Sequence, residues 1–235
     1  MCDETHGVGL PSAAATLPTS PLAYDPVALN AGNGLHPNNT CVLNGFPTDL
    51  KTKKWFPFGV WFANATTVYV ADEGNGTFKA SDVDTVHNIY TTPSKQTTAG
   101  LQKWVLESGK WNLKYVLQNG LSLGVPYSVA NAPGGTAYPT GTNTVTGLPW
   151  TPATDGLRNI TGRLNSDGTA TIYAITSTVS GNGDQGADPN RLVVITDALS
   201  ATSLPAGEQF VTLRQAGYGE VLRGVSFTPG TFGGQ

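Results

Sequence analysis

A chain of 235 residues is long enough to bury a substantial core. With 12% charged residues, 29 glycines and 16 prolines it suits many short strands and tight turns better than long helices. The formal net charge of -3 and the scattered Lys and Arg leave no basic stripe for nucleic acid or an anionic membrane, and no apolar run is long enough to span a bilayer.

Residues 1–37, rich in Pro, Ala and Gly and without periodicity, read as an irregular N-terminal arm ahead of a domain over 38–235. Met1 to Ala15 carries no basic n-region and no long apolar run, so a leader for export would lie outside this chain. Low Lys with abundant Thr, Asn, Gly and Ser fits a secreted or periplasmic bacterial protein. Cys2 and Cys41 could pair in an oxidising compartment or stay as free thiols.

Strands are expected at Cys41 to Leu43, Phe58 to Ala63, Val68 to Ala71, Leu101 to Leu106 and Leu113 to Leu117. A second set follows at Leu157 to Leu164, Ala170 to Ile175, Leu192 to Thr196 and Phe210 to Leu213. Each run is short, rich in β-branched or aromatic residues and bounded by Gly, Asn, Asp or Pro. From Phe58 onward the runs form two consecutive groups of four, the sequence signature of a propeller blade, and Val221 to Phe227 repeats the Leu-Arg of Leu157-Arg158 as the first strand of a further blade. The expected fold is therefore all-β and propeller-like: four-stranded antiparallel blades in a partial ring of roughly two blades plus partial ones. Two insertions, near 73–99 and 120–155, interrupt the units.

Tyr69-Val70-Ala71-Asp72, Gly100-Leu101-Gln102-Lys103-Trp104, Gly156 to Gly162 and Leu222-Arg223-Gly224-Val225 resemble segments of exported bacterial β-propeller proteins of mostly unassigned function. The resemblance covers roughly Thr40 to Pro229 and implies architecture, with more blades ahead of this chain; it is nearly silent on activity. An open arc of about two blades exposes blade faces and strand edges, which predicts a homo-oligomer.

Gly120-Leu121-Ser122-Leu123-Gly124 has Gly-x-Ser-x-Gly spacing, but Val125-Pro126-Tyr127 follows where a nucleophile elbow requires a helix, so a loop is expected. The chain holds 3 histidines, His6, His36 and His87, none at metal-ligand spacing with a carboxylate or Cys. Oxygen-rich turns are the stronger signal. Asp72 to Gly76 and Asn182 to Asn190 supply the carboxylate, amide and carbonyl oxygens that Ca2+ takes, and also the residues any tight turn uses. Asp167-Gly168 reads as a hairpin turn. In a propeller the first strand of each blade lines the channel, which makes Arg158, Asn159 and the repeat-equivalent Arg223 candidates for a polar mouth holding an anion or carbonyl; the alternative is Arg pairing with carboxylates between blades. Trp150, on the second insertion, is the tryptophan to test as a binding aromatic.

Two functions compete. Propellers with channel calcium are a scaffold for opening lactones and esters, and by that analogy Asp72, Glu73, Asn159, Asp184, Asp188 and Asp197 form the ligand pool, with Ser122, Arg158 and Arg223 as weak catalytic candidates. The other function is a non-catalytic extracellular binding or scaffolding module that uses the 120–155 loop and the strand edges.

Overall fold

A computed structural model describes Gly45, Phe46 and residues 54–228. The arm over 1–37, both cysteines, His6, His36 and the Cys41 to Leu43 run lie outside the described residues. The chain is all-β. Strands β1 (Pro57–Asn64), β2 (Thr67–Asp72), β5 (Gly100–Glu107) and β6 (Lys110–Leu117) form one antiparallel sheet in chain order; β3 (Val83–Asp84) and β4 (Ile89–Tyr90) form a small hairpin inside the first insertion. A second four-stranded antiparallel sheet contains β7 (Ala153–Leu164), β8 (Thr169–Val179), β9 (Arg191–Ala198) and β10 (Val211–Gln215), again in chain order.

Each expected run from Phe58 to Leu213 lies within or overlaps one of these strands, because period-two alternation is a local property that the sheets preserve. Tyr69 and Ala71 of β2 face one side with Leu101, Tyr115 and Leu117, and pack there against Leu157, Ile172, Val193 and Ile195 of the second sheet. Val68 and Val70 face the other side with Trp104 and Trp111, against Phe46, Trp55 and Phe62. The strand between them in register, β2, is buried along its whole length. At the β5–β6 turn, Ser108 and Gly109 both have positive φ (50° and 76°), the primed-turn geometry that matches strand twist. Gly168 (φ 81°) closes the expected Asp167-Gly168 hairpin, with Asp167 Oδ1 accepting from Thr169 N.

The first strands of the two sheets approach backbone to backbone. A Cβ on Gly59 would sit 2.3 Å from the Arg158 carbonyl oxygen, and one on Gly162 would meet the Trp61 ring at 2.7 Å. Only glycine allows that spacing.

Val221 to Phe227 departs from the expectation, since it forms no strand. A strand needs a partner ladder, and here the segment is held by side chains instead: Asn190 Oδ1 accepts from Leu222 N and Asn190 Nδ2 donates to Leu222 O, while Phe227 packs edge-on to Tyr173. The 73–99 insertion holds a 3-10 turn, the β3–β4 hairpin and a one-turn helix at Thr91–Ser94. The second insertion ends earlier than expected, because β7 already begins at Ala153.

Candidate functional site

The two oxygen-rich turns are far apart in sequence and meet in space at the end of β2 and the start of β7. Asp72 Oδ1 accepts from Gly74 N, and its Oδ2 accepts from Phe56 N and Gln102 Nε2. Asp155, wholly buried on β7, lies at the junction. Its Oδ2 accepts from Gly76 N (2.8 Å) and Gln185 Nε2 (2.9 Å), and its Oδ1 from Gln96 Nε2. Gln185, from the second turn, also donates to the carbonyls of Glu73 and Gly74 in the first. Burial pushes the Asp155 carboxyl up to about 7 despite these donors, and burial likewise raises Asp72. Gly74 (φ 79°) must be glycine on two counts, since a Cβ there would strike Asp155 Oδ2 at 2.5 Å.

Beside this junction is a cleft of about 110 Å³ lined by Phe58, Arg158, Asn159, Ile175, Asn190 and Arg223, among others. Arg158 is fixed from three sides. Its guanidinium stacks over the Phe58 ring at 4.1 Å, its Nε lies 3.2 Å from Glu73 Oε2, and its Nη1 lies where a Gly186 Cβ would be, at 1.9 Å. Gly186 is thus the residue in the second turn that makes room for the guanidinium. The Glu73 contact is an ion pair without hydrogen-bond alignment, so Nε stays unsatisfied. Arg223 is exposed at the cleft rim and has no carboxylate within ion-pair distance among the described residues. The expected grouping of Arg158, Asn159 and Arg223 is therefore found around one cleft, and the Arg158–carboxylate pair between sheets is found with it.

The calcium pool is divided among separate places. Glu73 and Asn159 are at the cleft. Asp184 is near enough to raise the Glu73 carboxyl, but its own Oδ1 accepts from Gly186 N. Asp188 is buried and accepts from Ser180, Asn182 and Tyr138. Asp197 is in the core between the sheets, paired with Lys103. Protein donors already take the buried carboxylates of Asp188 and Asp197. Among the described residues no group of three or more His, Cys, Asp or Glu is placed to hold a metal.

Ser122 is exposed in a turn with φ 53°, and no helix follows it. His87 pairs with Asp84 at 2.7 Å at the tip of the β3–β4 hairpin, its side chain three-quarters exposed, and no hydrogen bond joins it to Ser122. Trp150 is half-buried in the second insertion, where its carbonyl accepts from Tyr138.

Sequence reasoning missed Asp155, Gln185 and Lys103. Asp155 looked like the tail of an insertion, and the only local hint for Lys103 was a cation in phase with the inward-facing Leu101. No family model, no curated protein and no solved structure matches the chain.

Proposed function

We propose that the chain is a non-catalytic binding module on a propeller-like scaffold, and that it takes a carboxylate-bearing ligand at the Arg158–Arg223 cleft. The scaffold reading is supported by two four-stranded meanders of the same strand order that pack face to face with their first strands adjacent. The observation that carries the binding reading is the asymmetry of charge at the site: the buried carboxylates are occupied by protein donors, while two guanidinium groups and no carboxylate line the cleft, Glu73 lying 3.2 Å from Arg158 Nε alone. A guanidinium is a planar fork of donors suited to a carboxylate, and Arg158 is pre-oriented by Phe58 and Gly186, which lowers the entropy cost of binding.

The competing reading is a calcium-dependent hydrolase of lactones or esters. In that reading Glu73 and Asp184, each engaged through one carboxylate oxygen, would offer the other to the ion. The two readings separate in one set of measurements. Acetate and succinate titrations followed by amide chemical shifts should show saturable changes at 158–159 and 222–223, absent in Arg158→Gln/Arg223→Gln. Lactone and short-ester panels should show no turnover with either EDTA or added Ca2+. Turnover abolished by chelation, or titrations without saturable shifts, would overturn the binding reading.

A further inference from the structure

Between the two sheets, away from the cleft, Lys103 of β5 and Asp197 of β9 are both fully buried, with Nζ 2.9 Å from Oδ2. The surroundings are the apolar core, with Leu101, Leu117, Val193 and Ile195 on the same faces. Lys103 Nζ donates to Tyr115 Oη (2.9 Å) and to the Ala198 carbonyl (2.6 Å); Tyr115 Oη donates to Asp197 Oδ1 (2.6 Å), and Tyr69 Oη to Asp197 Oδ2. The carboxyl of Glu208, from the β9–β10 connection, accepts from Ala198 N through Oε1. That places the carboxyl beside Asp197, the residue before Ala198, while its Oε2 is buried without a hydrogen-bond partner.

A buried Lys–Asp pair is usually a structural ion pair. This one has more: a nucleophile and an electrophile with water excluded, and a half-buried proton carrier beside them. We propose that Lys103 and Asp197 condense to an intramolecular amide that links the two sheets covalently, with Glu208 moving the proton. The Lys103 ammonium has three N–H bonds. One proton passes to Asp197, giving amine and carboxylic acid, the neutral tautomer that a site without hydration makes accessible. The nitrogen lone pair then forms the N–Cγ bond. Ionised Glu208 takes a second proton from that nitrogen and delivers it to the departing Asp197 hydroxyl, which leaves as water. The third N–H remains on the amide and keeps its bond to Ala198 O, and the amide carbonyl keeps the tyrosine donor of whichever Asp197 oxygen stays. No oxidant or cofactor is needed, and Glu208 ends as it began. Its carboxyl is pushed up to about 7, chiefly by burial, so both its forms are present near neutrality. The contact geometry supplies the proximity that condensation in water lacks.

The test is a mass measurement on the purified full-length chain. The condensed protein is lighter than its sequence mass by one water. Trypsin cannot cut after an acylated Lys103, so Gln96–Lys110 should be recovered joined to Leu192–Arg214 as one branched species. Glu208→Gln, folded by circular dichroism, should retain the full sequence mass and yield the two segments unlinked, with cleavage at Lys103. The proposal is overturned if the folded wild-type chain has its full mass and unlinked peptides, or if the missing water maps to a succinimide at Asp167-Gly168. A Glu208→Gln chain that still cross-links would refute the proton-carrier role. None of these outcomes depends on the binding cleft.

Discussion

Replacing Asp155 by Asn should remove the pH dependence of stability that this carboxyl gives the turn junction. The Asp155 carboxyl is wholly buried and its pKa is raised from 3.8 to about 7, with burial outweighing the three donors. The folded protein therefore keeps this proton to higher pH than the unfolded chain does. The stabilisation tied to that proton is complete below pH 3.8 and is lost as pH rises through about 7. At about 1.4 kcal/mol per unit, the loss across this window is about 4 kcal/mol. An Asn carbonyl can replace Oδ2 and accept from Gly76 N and Gln185 Nε2, but its amide then faces Gln96 Nε2. Gln96 must turn over and release Asn75 N, which costs about 1 kcal/mol. The variant should thus be about 1 kcal/mol less stable than wild type at pH 4 and about 3 kcal/mol more stable at pH 8. With a urea slope of about 2 kcal/mol per molar, its midpoint should lie about 0.5 M below wild type in acid and about 1.5 M above it in base. Asp72, Glu73 and Glu208 are raised as well, but they are present in both proteins and cancel in the difference. Denaturation curves that shift in parallel from pH 4 to pH 8 would refute the reasoning.

Gly156→Ala should lose at least about 2 kcal/mol in thermal or urea denaturation, because the new Cβ would lie 2.3 Å from the Asp72 carbonyl oxygen, a backbone atom that cannot give way. Gly224→Ala, with nothing within 4 Å, is the control and should stay within about 0.5 kcal/mol of wild type. Self-association should follow from the two edge strands, where Phe58 and Val60 on β1 and Val211 and Leu213 on β10 are 44%, 56%, 54% and 52% exposed. Light scattering should report a species larger than one chain, reduced by Val60→Lys with Leu213→Lys, and a single-chain species at every concentration would refute the prediction.

The strands were legible because their signal is local. Alternation in Thr67 to Asp72 or Thr169 to Val179, punctuated by Ser108-Gly109 and Asp167-Gly168, fixes which residues face inward before any partner is known. The grouping of Arg158, Asn159 and Arg223 was expected from a repeated strand, but Val221 to Phe227 forms none, and the segment reaches the cleft through its hydrogen bonds to Asn190. Pairing between polar groups was not legible. Asp72 and Glu73 sit in an ordinary turn sequence, and only the approach of β7, made possible by Gly59 and Gly156, brings Asp155 and Gln185 to that turn, where Asp155 accepts from Gly76 N and Gln185 donates to the Glu73 carbonyl. Lys103 and Asp197 are each an isolated charge in an apolar strand, and a sequence carries no term for how one sheet faces another. Packing decides that, because burying Leu101, Val193 and Ile195 against each other brings the ammonium and the carboxylate on the same faces together.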